Sequence, residues 1–512
     1  MNSFLQQYSG RISGTISCFD RVLFKGHLPL GWSEAMERLI SRQGLLIKDF
    51  KSFVTAQSSR IGKNAEAIAQ ASGRRFVYLQ SRVRKDGLAR QIAEEDGITH
   101  GLVCVLRRLE PLLSYAMVSG EGRPRLVRSR RQCLCYYFYF IDPVFGFMHA
   151  RIESWFPLTI QVCLNGHEWL ARKLAEAGID FRKHDNAFLW IEDPAAAQQI
   201  ADRISRIRWP QTLDRFAVRI NPLLGDLLAH MGYYWCTEQA ELATDVMFRS
   251  AASLSRLYPQ LLRHAIQSFG AEDVLTFLGR KMHGRFQGEV LSDLKDKRWP
   301  GARIKHRMKG NWIKMYDKFG CVLRVETVIN QPKEFKVRRV GVRQGETVMG
   351  WFPMRKGVSS FGRYREVGQA ANARYLEKLV EVPDRSAAAR EWQQLANPVR
   401  DANDRSYRGF NPASADDVNL FAAVMRGEHA IQGFRNADVR GQLFDSTDDA
   451  RETRRRSHRV SRLLKRLHMH KLIAKVPRST RWRITAKGQR LMKTALIYHH
   501  ESYPDTLAKL AA

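Results

Sequence analysis

The stretch CLCYYFYFIDPVFGFMHARIESWFPLTIQVCLNGHEWLARKLAEAG, residues 133–178, decides the fold class. Its aromatic and β-branched runs Cys133–Phe140, Phe147–Trp155 and Leu158–Leu164 are broken by Asp-Pro and Phe-Pro turns, so three strands are expected. Asn165-Gly166 then starts a helix over 166–178, followed by an expected strand at 181–191 and an Ala-rich helix from Pro194 to Ile207. Strand, strand, helix, strand, helix predicts a ferredoxin-like, split βαβ sheet over 132–209.

Upstream, a strand through Ile16–Phe24 and a helix over Trp32–Leu46 precede a helix near 61–71, a strand at 76–79, a helix at 85–96 and a strand at 101–107. That alternation makes residues 1–131 an α/β domain with a mixed sheet. Arg107, Arg108, Arg123, Arg125, Arg128, Arg130 and Arg131 gather around a Gly-rich turn, and Arg123, Arg125, Arg128 and Arg130 are candidate phosphate contacts. Downstream, 210–290 reads as helical, including Phe216–Met231, Glu238–Phe248, Tyr258–Phe269 and Asp273–Arg285. A strand pair at 302–329 and an exposed basic segment at 333–343, with Lys336, Arg338 and Arg339 as further backbone contacts, complete a region running to 384. Residues 385–416 look like a linker, and 417–512 form the last domain.

Composition bounds the function. Against 51 Asp and Glu the chain of 512 residues carries 84 Lys and Arg, a formal charge of +33, which repels itself unless a polyanion offsets it. Nucleic acid is the expected partner, DNA first and RNA as the alternative; a basic enzyme with a solvated positive face is the bland reading. The seven cysteines are too scattered for a disulfide framework or a zinc set and read as reduced thiols. No signal stretch or membrane-length apolar run is present in the sequence, so a soluble cytoplasmic protein is expected. No heptad pattern demands an oligomer.

In the last domain RETRRRSHRVSRLLKRLHMH, residues 451–470, places Val460, Leu463, Leu464 and Leu467 on one helical face and Arg455, Arg459, Arg462, Lys465 and Arg466 elsewhere. LIAKVPRSTRWRITAKG, residues 472–488, reads strand, basic turn, strand, with Arg478, Arg481 and Arg483 on the turn and second strand, and a closing helix from Gln489 to about His499. This order resembles winged-helix regulators of the MarR or ArsR type, in the register recognition helix, Leu-Ile-x-Lys-Val, basic wing, Arg-Ile-Thr-x-x-Gly. The resemblance implies a helix laid in a major groove and a wing on the backbone or minor groove. A winged helix used for protein contacts is the alternative.

The central motif is NWIKMYDK (311–318), a turn at Phe319-Gly320, and CVLRVETV (321–328). Alternation makes it a hairpin with Lys314, Tyr316 and Lys318 on one face. The pattern Ile-x-x-Tyr-Asp-Lys followed by Leu-Arg-x-Glu is similar to a segment of rolling-circle replication initiators. That resemblance implies Tyr316 as nucleophile, Glu326 and Asp317 as ligands of Mg²⁺ or Mn²⁺, and Lys318 or Arg324 as stabilisers of the phosphorane. The His-hydrophobic-His strand of those initiators is missing, and the alternative is a solvated sheet with Lys and Arg as cross-strand partners. Asp20 and Glu153 are added as metal candidates because each interrupts an apolar strand, where an unpaired charge is costly. Ion pairs with neighbouring Arg21 and Arg151 are the competing reading, and Asp142, Glu241 and Asp245 are further acids that the fold could bring in.

Ser17 to Gly26 also fits Ser-x-Phe-Asp-Arg-x-x-Phe-x-Gly, which resembles an uncharacterised bacterial family and implies no activity. The expectation is a mobile-element or plasmid-type protein that finds DNA with its winged helix and handles, or nicks, a strand in its α/β body. A non-enzymatic regulator or an RNA-binding, guide-RNA-like scaffold is the alternative.

Overall fold

The computed structural model describes residues 1–80, 83–119, 124–279, 290–295, 303–380, 392–426, 429, 433–477 and 479–502; Arg123 and Arg478 lie outside them. Two compact units form. The first joins Arg11–Ser250 to Cys321–Asn372, and the second joins Met1–Gly10, Ala251–Gly320 and Ala373–Ala512.

Strands up to residue 250 are β1 (Ile12–His27), β2 (Arg75–Tyr78), β3 (Gly101–Val118), β4 (Arg125–Asp142), β5 (Gly146–Glu153), β6 (Ile160–Asn165), β7 (Phe181–His184), β8 (Ala187–Ile191) and β9 (Tyr234–Phe248). In the second unit β10 (Val290–Lys295), β11 (Arg303–Met308) and β12 (Asn311–Lys318) make an antiparallel meander. The first unit also holds β13 (Val322–Ile329), β14 (Lys336–Arg343) and β15 (Glu346–Pro353). Its large sheet runs in the order β13-β9-β1-β6-β5-β4-β3-β2, antiparallel apart from the β2–β3 pair. The expected α/β class stands.

Two expectations inside it do not. The run 133–164 forms strands as expected, but β4, β5 and β6 are an antiparallel meander, and β6 pairs with β1. The 181–191 stretch bends at Asp185, where φ is 48°, into a separate β7–β8 hairpin instead of joining the sheet, so no ferredoxin-like unit forms. The segment Glu238–Phe248, expected as helix, lies within the long central strand β9. Its alanines, leucine and methionine favour a helix locally, but pairing with β1 on one side and β13 on the other overrides that preference.

In the second unit the C-terminal domain contains helices Ala415–Val424, Asn436–Leu443, Ala450–Met469 and Ala486–Ile497, with β18 (Ile473–Lys475) paired to β19 (Trp482–Ile484) after the two short strands β16 (Val399–Arg400) and β17 (Ser406–Tyr407). Phe434 makes a single β-bridge to Trp482 between the first two of these helices, and the resulting order of helices, bridge and hairpin is that of a winged helix. Its core is built from Phe421, Phe434, Val460, Leu464, Leu467, Ile473 and Met492. Leu395 and Phe410, from the stretch read as a linker, are part of that core.

The Arg-Ile-Thr-x-x-Gly signature has a local cause. Thr485 caps the closing helix by accepting from Gly488 N at 2.9 Å, and its hydroxyl donates to Leu472 O at 3.1 Å. A Cβ on Gly488 would stand 1.9 Å from that same carbonyl, so only glycine lets the helix start here. All seven cysteines are free, and no helix of the described residues is long and apolar enough to cross a membrane.

Candidate functional site

On the basic helix Ala450–Met469 the buried stripe is Val460, Leu464 and Leu467. Arg451, Arg454, Arg455, His458, Arg459, Arg462 and Lys465 are exposed, at spacings of three and four that make one continuous row. Arg455 is tied to Glu452 at 2.8 Å yet stays 80% exposed. Arg459 lies over the ring of Phe444. In the wing Arg483 is exposed, whereas Arg481 is half-buried and donates to Gly433 O at 3.0 Å. Arg435, Lys475 and Arg481 line an open cleft of about 800 Å³ beside the wing, together with Ser479 and Thr480.

Arg466 is a correction. The helical period puts it among the DNA contacts, but it is buried, pairs with Asp417 at 2.8 Å and also donates to Arg408 O at 3.1 Å. The segment around Arg408 and Gly409 covers the end of the helix and takes this guanidinium out of reach of a groove. Elsewhere, Arg125 and Arg130 are exposed on β4, while Arg128 is engaged with Gly31 O and lies over Tyr115. The aromatic side chains of Tyr136–Phe140 are core, as are those of Tyr233 and Trp235, while Tyr234 between the last two is exposed.

A second constellation lies in the sheet of the first unit. Register pairs Arg324 with Asp245, Glu326 with Ala243 and Val328 with Glu241, so Arg324, Glu326, Glu241 and Asp245 share one face. Between Phe19 and Val22 the β1–β9 register shifts, and Asp20 and Arg21 together stand opposite Glu241. Such a bulge re-aims side chains, and here it brings Asp20 to the acids. Ligand oxygens of Asp20, Glu241 and Glu326 all lie within 4.8 Å of one another. Arg21, the other bulge residue, is exposed.

The helix Gly166–Glu176 roofs this face. Asn165 caps it, accepting from His167 N at 2.8 Å, and Gly166 packs so closely that a Cβ would lie 2.2 Å from Phe19 O. His167 therefore sits over the bulge, Nδ1 3.2 Å from Asp20 and Nε2 3.4 Å from Asp245. Arg324 is fully buried and spans Asp245 with two bonds of 2.6 and 2.7 Å. Its Nη1 is 3.4 Å from Asp20, and Asn186 donates to Asp20 at 2.6 Å. Burial opposes charge on His167, but Cys18, Asp20 and Asp245 outweigh it and hold its pKa well above 6.5. Burial would raise Asp245, yet Arg324 and His167 bring it below its ordinary value.

Several expected site residues are elsewhere. Arg324 is locked by Asp245 and so cannot meet a phosphate, a correction to its expected role. Glu153 is buried 3.5 Å from Arg151 and accepts from Thr159 N at 3.3 Å, so the ion-pair reading holds for it and it is not among the clustered acids. Asp317 closes the hairpin turn by accepting from Gly320 N at 3.0 Å, and burial raises its pKa. Tyr316 is half-buried opposite Arg303, and Lys318 is buried over Phe319. Tyr316, Asp317 and Lys318 belong to the second unit, Arg324 and Glu326 to the first. Every residue of β13 is buried, so this strand does not belong to the solvated sheet of the alternative reading.

The sequence reading placed Glu241 and Asp245 only among scattered acids. The signal that could have promoted them is Asp20 itself, an acid inside an apolar strand that needs partners. Comparison with family models, with curated proteins and with solved structures returned no match.

Proposed function

We propose that this chain binds DNA through its C-terminal winged helix, with the helix Ala450–Met469 in the major groove and the wing on the backbone. The observation that carries this reading is the unbroken row of exposed cations on the side of that helix away from its buried stripe. A helix docked only on protein has no need of so much charge of one sign, whereas phosphates neutralised by it release counterions and favour binding. The test is fluorescence anisotropy with labelled duplex DNA and duplex RNA at salt from roughly 50 to 200 mM. Duplex DNA binding that falls steeply with salt supports the reading. Absence of binding at the lowest salt overturns it, and preference for RNA transfers the surface to an RNA scaffold.

A second reading, favoured by the convergence of Asp20, Glu241 and Glu326, adds metal-dependent phosphodiester chemistry in the first unit. Three carboxylates supply the hard oxygen ligands that Mg²⁺ and Mn²⁺ prefer, and such an ion would activate water and offset charge on a phosphate. Cleavage of labelled single- and double-stranded DNA with Mn²⁺ that is lost in Glu326→Gln supports it. Cleavage equally strong in that variant removes the assignment.

A further inference from the structure

Strands β14 and β15 pair along their whole length: Lys336 with Pro353, Arg338 with Trp351, Val340 with Met349 and Val342 with Thr347. A period of two puts these eight residues on one face of the ribbon, and all eight are exposed. Trp351 is 70% exposed, Val342 68%, Met349 60% and Val340 52%. The opposite face is the packed one, with Val337 buried and the Phe352 ring over Gly341. A surface ribbon ordinarily presents polar groups outward; this one presents an aromatic plane, a thioether and two valines.

Charge indicates what covers this face. Residues 336–355 contain Lys336, Arg338, Arg339, Arg343 and Arg355 against Glu346 alone. Arg339 is committed to the ribbon itself, giving Nε to Pro353 O at 3.0 Å and Nη1 to Val340 O at 2.8 Å. Lys336 and Arg338 stand on the apolar face at the end that holds Trp351. We infer that this face is a platform for an unpaired nucleic-acid strand: one base stacks on Trp351, its neighbours lie on Met349 and the valines, and Lys336 and Arg338 meet the phosphates. Stacking tolerates any base because each has a π-face, and cations beside the ring follow the backbone. A duplex is a poorer occupant, since reading a groove takes donors and acceptors and beyond Arg338 and Trp351 this face offers Val340, Val342 and Met349 with Thr347 as its one hydroxyl. An apolar protein would leave the clustered positive charge unmatched. The inference concerns a surface other than the winged helix and does not rest on the reading of that domain.

The test uses the full chain and fluorescein-labelled oligothymidine and oligouridine of about 16 nucleotides, the upper end of single-strand site sizes. A duplex of equal length is the control. Trp351→Ala is expected to weaken single-strand binding by about 5- to 150-fold, the loss of one stacked base, and to leave duplex affinity unchanged. Trp351→Phe keeps most of the affinity because it keeps a ring. The oligothymidine and oligouridine arms distinguish DNA from RNA. Unchanged single-strand affinity in a folded Trp351→Ala protein overturns the inference and assigns the face to a protein partner. An equal loss on duplex also overturns it. Failure of duplex binding in every variant would remove the winged-helix reading while leaving the single-strand arms intact.

Discussion

Asp417 and Arg466 form a buried bidentate pair, with Oδ1–Nη1 at 2.8 Å and Oδ2–Nη2 at 3.1 Å, which joins the first helix of the C-terminal domain to the end of its basic helix. Both side chains are less than a tenth exposed. Asp417→Ala leaves a guanidinium buried and unpaired, which costs about 3–5 kcal/mol. Hydrogen exchange along Ala450–Met469 should accelerate accordingly. The double variant Asp417→Leu/Arg466→Met should recover part of the protection, since apolar residues of similar volume replace the buried charges while Arg408 O and Asn411 N lose their partners. Unchanged exchange in Asp417→Ala would show that the pair contributes nothing.

Arg459→Ala and Arg462→Ala should each weaken duplex binding across sequences and lower the slope of log K against log salt by about one. Both side chains are exposed, so the melting temperature should hold. A slope identical to that of the parent protein would mean that neither cation meets a phosphate.

If Asp20, Glu241 and Glu326 hold a divalent ion, Mn²⁺ should raise the melting temperature. At a hundredfold excess over the dissociation constant the gain is about 2.7 kcal/mol. Glu241→Gln and Glu326→Gln should abolish that gain while Glu153→Gln, outside the cluster, retains it. An equal gain in all three variants would remove the site.

Acid should destabilise the fold well before the carboxylates titrate. Burial pushes His306 down to about 3 and His149 to about 4, both from 6.5, and Lys493 adds to the shift of His306. Below pH 6.5 the unfolded chain binds protons that these folded imidazoles refuse, so stability falls as pH drops from 6.5 towards 3–4. Asp245, held below its ordinary value, adds a loss as pH falls through its folded pKa. His167 has the opposite sign: its pKa is raised, so its contribution is full below 6.5 and disappears as pH rises through the folded value. His306→Asn should flatten the slope between pH 6.5 and 4, read by denaturant unfolding at each pH; an unaltered slope would place the titration elsewhere.

Local pattern was a good guide wherever one element decides its own state. The expected helix at 85–96 forms as Lys85–Glu95, and the strand NWIKMYDK forms over Asn311–Lys318. It failed where partners decide. β9 is buried on both faces and shows no clean alternation, so its residues carry no strand period to read. Arg466 follows the helical period of Arg455, Arg459 and Arg462, and only the chain folded over it at Arg408 separates it from them.

The excess positive charge, the amphipathic basic helix with its wing, the strand-rich stretch from 133 to 164 and the anomaly of Asp20 in an apolar run are all legible in the order of the residues. These are properties of composition and of periods spanning a few residues. Tertiary structure alone decided that Asp20 meets Glu241 and Glu326, that Glu153 and Asp317 do not join them, and that one face of the β14–β15 ribbon is left uncovered. Strand order, a bulge between Phe19 and Val22 and the register of three adjacent strands set those distances, and each depends on pairing between segments far apart in the chain.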